Sequence, residues 1–197
     1  MDANPPAFDH VEFATNADPR CACILLLDTS GSMQGSPIQQ LNQGLQTFAQ
    51  ALQTDELARR RVELAIVTFG NNGVQTAQDF ISADAFAAPT LTPGEQTPMG
   101  AAINQALDML QARKNAYNLQ GTTYYRPWIF LITDGAPTDE WQPAAQRVKN
   151  EEAQKKVAFF AVGVEQANME ILKQITPRTP LHLKGLAFQQ MFVWLSS

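Results

Sequence analysis

Two unbroken apolar runs stand out along the chain, Ile24 to Leu27 and Ile129 to Ile132. Each stops abruptly in polar residues, Asp28-Thr29-Ser30-Gly31-Ser32 after the first and Thr133-Asp134-Gly135 after the second. A continuous run of this length, with no polar alternation, suits a parallel strand covered on both faces better than a half-exposed one. Between them, Ile38, Leu41, Leu45, Phe48, Ala49 and Leu52 recur at helical spacing behind Pro37, which predicts an amphipathic helix with one core stripe. Val62 to Phe69 reads as the second strand, so strand, helix and strand form a right-handed parallel crossover. Asn72-Gly73 follows at once and supplies the positive φ angles of a tight hairpin, which returns Val74 to Ile81 as an antiparallel edge strand.

The second half repeats the alternation. Ser82 to Gln96 carries the chain back, and Thr97-Pro98 reads as an N-cap and first turn, followed by Ala102, Ile103, Ala106, Leu107 and Leu110 on one face. Asn115 to Arg126 reads as a polar and aromatic connection into the strand Trp128 to Thr133. Thr138 to Lys156 reads as a surface helix, Val157 to Val164 as a buried strand, Met169 to Ile175 as a short helix and Leu181 to Lys184 as a last strand. A terminal helix with Phe188, Met191, Phe192 and Leu195 on one stripe completes the chain. The expected fold is α/β, Rossmann-like and doubly wound: a mostly parallel six-stranded sheet of order 3-2-1-4-5-6, with strand 3 antiparallel at the edge and helices on both faces. Residues 1–19, with Pro5, Pro6, Pro19 and a short strand at His10 to Ala14, read as an extended lead-in to a single domain over 20–197.

Composition narrows the function. With 197 residues, 45% hydrophobic, one core suffices, and a formal net charge of -5 without a Lys/Arg run removes the electrostatic footprint of a nucleic-acid binder. No segment approaches the roughly 20 apolar residues of a membrane span. The start of the chain has no basic-then-apolar pattern, so a soluble, cytoplasmic protein is expected. The two cysteines, Cys21 and Cys23, share one face of a strand and are poorly placed to bridge one another; they read as buried small apolar side chains.

Open α/β sheets bind ligands outside the carboxyl ends of their strands, which is where both apolar runs end. Three loops therefore converge there: Asp28, Ser30 and Ser32 after the first strand, Thr97 before a helix, and Asp134 after the fourth strand. Two carboxylates and three hydroxyls without His or Cys are a hard-oxygen set suited to Mg or Mn rather than Zn or Cu. Few of those ligands are anionic, so an open coordination position favours a carboxylate, an Asp or Glu from a partner protein. Loops at Met33 to Ser36, Gly94 to Gln96 and Ala136 to Trp141 border the site, with Met33 as apolar contact area; Trp141 either adds to it or, recurring with Ala145 and Val148 at helical spacing, faces the core.

The D-x-S-x-S at Asp28, Ser30 and Ser32, with Thr97 and Asp134 in later loops, resembles the metal-ion-dependent adhesion site of von Willebrand factor A domains. The one departure is Gln96, where the family commonly has Gly. The resemblance implies that Ser30, Ser32 and Thr97 approach the metal through hydroxyls, while Asp28 and Asp134 act largely through bound water. Arg20 to Met33 and Tyr125 to Asp139 resemble more narrowly the bacterial tellurium-resistance-associated, TerY-type branch. That likeness implies a cytoplasmic, non-enzymatic interaction module in tellurite or related stress responses, with a neighbouring kinase and phosphatase as partners. The rival class is a Mg-dependent phosphotransferase or phosphatase of haloacid-dehalogenase type. Those enzymes need D-x-D, and Ser30 stands where their acid-base Asp would be. A nucleotide enzyme lacks its glycine-rich loop here, and a serine hydrolase lacks its G-x-S-x-G elbow.

Overall fold

The computed structural model describes residues 18–70 and 72–183. The lead-in strand at His10 to Ala14 and the terminal helix lie outside these residues. Six strands form one sheet: β1 (Cys21–Thr29), β2 (Val62–Gly70), β3 (Gly73–Ser82), β4 (Trp128–Thr133), β5 (Ala158–Val164) and β6 (Leu181–Leu183). Their order is β3-β2-β1-β4-β5-β6, with β3 antiparallel and all other pairs parallel, as the apolar runs predict. Asn72 and Gly73 take φ of 65° and 78°, the left-handed pair that the β2–β3 hairpin requires.

The reason for the unbroken runs is visible in β1. Ala22, Ile24 and Leu26 belong to a core shared with α3 (Met99–Leu119), α4 (Gln142–Ala153) and α5 (Met169–Ile175). Cys23, Leu25 and Leu27 belong to a second core beneath α1 (Ser36–Thr54) and α2 (Glu56–Arg61). Because successive residues of a strand point to opposite faces, a strand buried on both must be apolar at every position. β1 is also the switch point of the sheet: the chain runs outward through β2 and β3, then returns to pair β4 against the other side of β1. The carboxyl ends of β1 and β4 therefore flank the crevice where such sheets bind ligands.

Four element boundaries differ from the sequence reading. α2 was not expected; Asp55 caps it, its Oδ1 accepting from the N–H groups of Leu57 and Ala58 at 2.8 and 2.9 Å. α3 continues to Leu119, so the expected connection begins at Gln120 rather than Asn115, because Tyr117 is a buried member of the first core. At the other end of that helix Thr97 is not the N-cap. Pro98 occupies that position, and the helix N–H groups of Gly100 and Ala101 donate to the carboxylate of Asp139 instead, at 3.0 and 2.9 Å. α4 starts at Gln142 rather than Thr138, since Thr138 and Asp139 are engaged with the start of α3.

Two buried carboxylates lock the end of the sheet opposite the crevice. Glu63 accepts from Arg113 Nε at 2.8 Å and from the Tyr117 hydroxyl. Glu152 accepts from Phe159 N–H and Arg178 Nε, both at 2.7 Å, and from Arg126. Burial pushes both carboxyls up, but these donors outweigh it and hold both below the usual carboxylate range. Depressed folded values contribute stability that is present above the ordinary Glu value of about 4.3 and is lost as pH falls through the folded values. The melting temperature should therefore hold from neutral pH down to about 4.5 in respect of these groups and fall steeply below. Glu63→Gln should flatten that acid limb, and an acid limb of unchanged steepness in the variant would remove Glu63 from the account.

Candidate metal centre

Asp28, the penultimate residue of β1, is fully buried and its carboxylate is fixed from both sides. Oδ1 accepts the N–H of Ser30 at 2.8 Å, and Oδ2 accepts the hydroxyl of Thr133 at 2.5 Å. The Asp-to-Ser turn follows from the chain's need to leave the strand: a short polar side chain can bond its own backbone two residues on. A single 3-10 turn, Gly31–Met33, then leads to α1. Its Ser32 donates to Asp134 Oδ1 at 2.7 Å, linking the β1 loop to the β4 loop. The oxygens of Ser30 and Ser32 lie 3.1 Å apart.

Asp28, Ser30 and Ser32 converge on the open face of Gly135. A Cβ built there would lie 3.7 Å from Asp28 Oδ2, 3.8 Å from Ser32 Oγ and 3.9 Å from Ser30 Oγ. A cradle of oxygens around an absent side chain, with Ser32 exposed to solvent, is space that a small hard cation fits. No group of three or more His, Cys, Asp or Glu side chains gathers among the described residues, so the donor set at this edge rests on hydroxyls as much as on carboxylates.

Thr97 reaches the same edge by a different route. Gly94 N–H donates to Thr29 O at 2.6 Å, which seats the 94–97 segment over the end of β1. Thr97 N–H donates to Thr138 Oγ1 at 3.0 Å, and Thr138 N–H donates to Thr97 O at 2.9 Å, clamping this segment to the loop after Asp134. Thr97 is buried there, and the hydrogen bonds that hold it are those of its backbone.

Electrostatically the site is poised for a cation. Burial pushes the Asp28 carboxyl above the usual range, and the Asp134 charge adds to this against the hydrogen bonds from Ser30 and Thr133. Burial raises Asp134 as well, opposed by the Ser32 hydrogen bond and assisted by Glu165, a left-handed residue just past β5. Two carboxylates whose charge is poorly solvated are stabilised by a nearby positive charge.

Three residues beyond the sequence reading shape this edge: Thr133 on Asp28, and Thr138 and Asp139 on the Thr97 loop. Thr133 was legible in principle, since the β1–β4 pairing Leu27↔Ile132 sets it beside Asp28. One expectation fails: Met33 offers no contact surface, being 1% exposed and packed into the second core. Trp141 is half-buried against the first core, in keeping with its helical spacing to Ala145 and Val148.

The family profile of the von Willebrand factor type A domain matches residues 23–189. No curated protein matches the sequence. Among solved structures, the pilus adhesin SpaC from Lactobacillus rhamnosus GG in its open conformation superposes with a TM-score of 0.74 at 14% identity, covering 91% of this chain and 30% of its own. The proximal thread matrix protein 1 of the mussel byssus, with a zinc-occupied MIDAS motif, gives 0.59 at 17% identity, covering 92% and 48%. Manganese-loaded TRAP protein from Plasmodium vivax gives 0.60 at 21% identity, covering 88% and 73%. The chain thus spans less than half the length of the adhesin and of the mussel protein. No helix among the described residues is long and apolar enough to cross a membrane.

Proposed function

Because this chain belongs to the von Willebrand factor type A family, we propose that it is a metal-ion-dependent protein-interaction module. Asp28, Ser30, Ser32, Thr97 and Asp134 hold the ion, Mg or Mn. The observation that carries this is the oxygen cradle at Gly135, where Asp28, Ser30 and Ser32 of the β1 loop face the β4 loop and Ser32 bonds its Asp134. When bound, the ion offers an anionic oxygen of another protein a positive charge with an open position. Support for a divalent ion also comes from the zinc-occupied mussel protein and the manganese-loaded TRAP protein, and support for protein recognition from the adhesin.

The recognised group is an Asp or Glu carboxylate, and the exposed loops at Gln34 to Ser36, Glu95 to Gln96 and Thr138 to Glu140 flank its approach. Residues 20–197 act as one domain behind a short lead-in. Within the family the chain sits in the tellurium-resistance-associated TerY-type branch, with a cytoplasmic role in tellurite or stress-response signalling beside a kinase and a phosphatase. What supports this is the likeness of Arg20 to Met33 and Tyr125 to Asp139.

Mg or Mn at about a hundredfold excess over Kd should stabilise the fold by about 2.7 kcal/mol, a rise of roughly 5–10 °C in Tm for a chain of this size. Ser30→Ala/Ser32→Ala should abolish the rise while the metal-free protein still melts cooperatively. A rise of equal size in wild type and the double variant would move the metal elsewhere. A pull-down from the native host should then lose its partner both with chelator and with the double variant.

A further inference from the structure

A second cavity, of about 400 Å³, opens at the other end of the sheet, between the last turns of α3, the approach to β4 and the turn after α4. Its lining includes Lys114, Lys155, Lys156 and Arg126, with Tyr124 and Asn118. For a chain with only 14 Lys and Arg residues and a net charge of -5, four cations around one cavity is a local inversion of sign.

The four are not equivalent. Arg126 is spent on Glu152 and on the carbonyl oxygens of Val157 and Glu152. Lys155 and Lys156 are exposed, and Lys155 holds φ of 56°, a left-handed conformation uncommon for a side chain other than Gly or Asn. Both stand just past the carboxyl end of α4, where the helix dipole favours cations. That effect does not account for Lys114. It lies inside α3, five residues before the helix ends, is only 8% exposed, and makes neither a hydrogen bond nor an ion pair among the described residues. Its stem is packed into the fold while its ammonium opens into the cavity, where a ligand can meet it. Burial depresses its pKa and Lys156 depresses it further, with Glu151 as the opposing charge.

We propose that this cavity binds a diphosphate group, either free or as part of a nucleoside diphosphate. Three ammonium groups not engaged by a carboxylate match the charge of two linked phosphoryl groups, and hydrogen bonds to phosphate oxygens give Lys114 the partner it lacks. The cavity is large enough for more than the diphosphate, at the lower part of the size range of small-molecule sites, and Tyr124 gives it an aromatic wall. It lies past the amino end of β4, whereas Asp134 follows the carboxyl end. With about 3.3 Å per strand residue, the two sites are roughly 25 Å apart.

The test uses the full chain with EDTA present, so that the metal centre plays no part. Pyrophosphate, ADP and AMP are each titrated against sodium chloride of equal ionic strength, and melting is followed by calorimetry. Pyrophosphate should raise Tm saturably, above the chloride control. Lys155→Gln/Lys156→Gln, exposed and therefore with only a small effect on the unliganded melt through the α4 dipole, should weaken the response at least tenfold, and Lys114→Gln should abolish it. Ser30→Ala/Ser32→Ala should leave it intact, which separates this site from the proposed metal centre. A stronger response to ADP than to pyrophosphate identifies a nucleotide site, and the reverse order a free diphosphate site. A response no greater than that of chloride, an undiminished response in Lys155→Gln/Lys156→Gln, or AMP acting as strongly as ADP would overturn the proposal.

Discussion

Glu152→Ala should lower the melting temperature by roughly 10 °C, the largest loss expected from a single side chain outside the apolar core. The carboxylate is the meeting point of four segments: it sits in the last turn of α4, takes the N–H of Phe159 in β5, and binds Arg126 before β4 and Arg178 after α5. Removing one partner of a buried ion pair costs about 3–5 kcal/mol, because the groups left behind stay desolvated. Arg126 and Arg178 are 31% and 37% exposed and recover water in the variant, so about 3 kcal/mol is the appropriate figure. In a domain of this size each kcal/mol corresponds to about 2–4 °C. Arg178 also lies over the Phe160 ring at 4.8 Å, a contact that loosens with it. Thermal unfolding of Glu152→Ala beside the exposed control Glu56→Ala measures the difference. A Glu152→Ala shift below 2 °C would mean that the arginines find other partners at no cost.

Gly100→Ala should damage both the fold and the candidate metal centre, although alanine is the better helix former by about 1 kcal/mol. A Cβ at Gly100 would lie 2.6 Å from Glu140 O and 2.8 Å from Trp141 Cα, both backbone atoms that cannot swing aside. Forced overpacking of this kind costs about 1–3 kcal/mol. The loop that must yield carries Thr138 and Asp139, which hold the Thr97 segment and cap α3. The expected result is a metal-free Tm lower by about 5 °C together with a metal response weakened about tenfold. Asp139→Ala, which removes the cap and introduces no clash, should reproduce the loss of response with a smaller loss of stability. Calorimetry with and without Mn resolves the two effects, and a Gly100→Ala variant with an unaltered metal response would uncouple α3 from the site.

The parts of this architecture that could be read beforehand are those written in neighbouring residues. Ile24 to Leu27 and Ile129 to Ile132 announce doubly covered strands, Asn72-Gly73 announces its hairpin, and Asp28-x-Ser30-x-Ser32 announces a polar turn at a strand end. The parts that could not are held by distant partners. Thr97-Pro98 has the look of a self-capping helix start, but the cap is Asp139, some forty residues on. The same side chain misleads twice, for Thr138-Asp139 also imitates the start of α4 while serving α3. α2 is too short to show a stripe, with Ala58 its one buried residue. Met33 carries no local signal of burial, because what covers it is the second core, contributed by distant strands and helices.

The position of β1 at the switch point also sets a schedule for synthesis. Its first neighbour, β2, begins 41 residues after Cys21, but its second neighbour pairs Ile24 with Ile129, more than a hundred residues later. At about 5–20 residues per second, this strand leaves the ribosome roughly 5–20 s before the partner that covers its other edge. During that interval Ile24 to Leu27 present an open, wholly apolar strand edge without a charge, the kind of segment that pairs with copies of itself. Slowing translation between α3 and β4 should therefore lower the yield of folded protein, and holding chaperones that occupy nascent apolar strands should restore it.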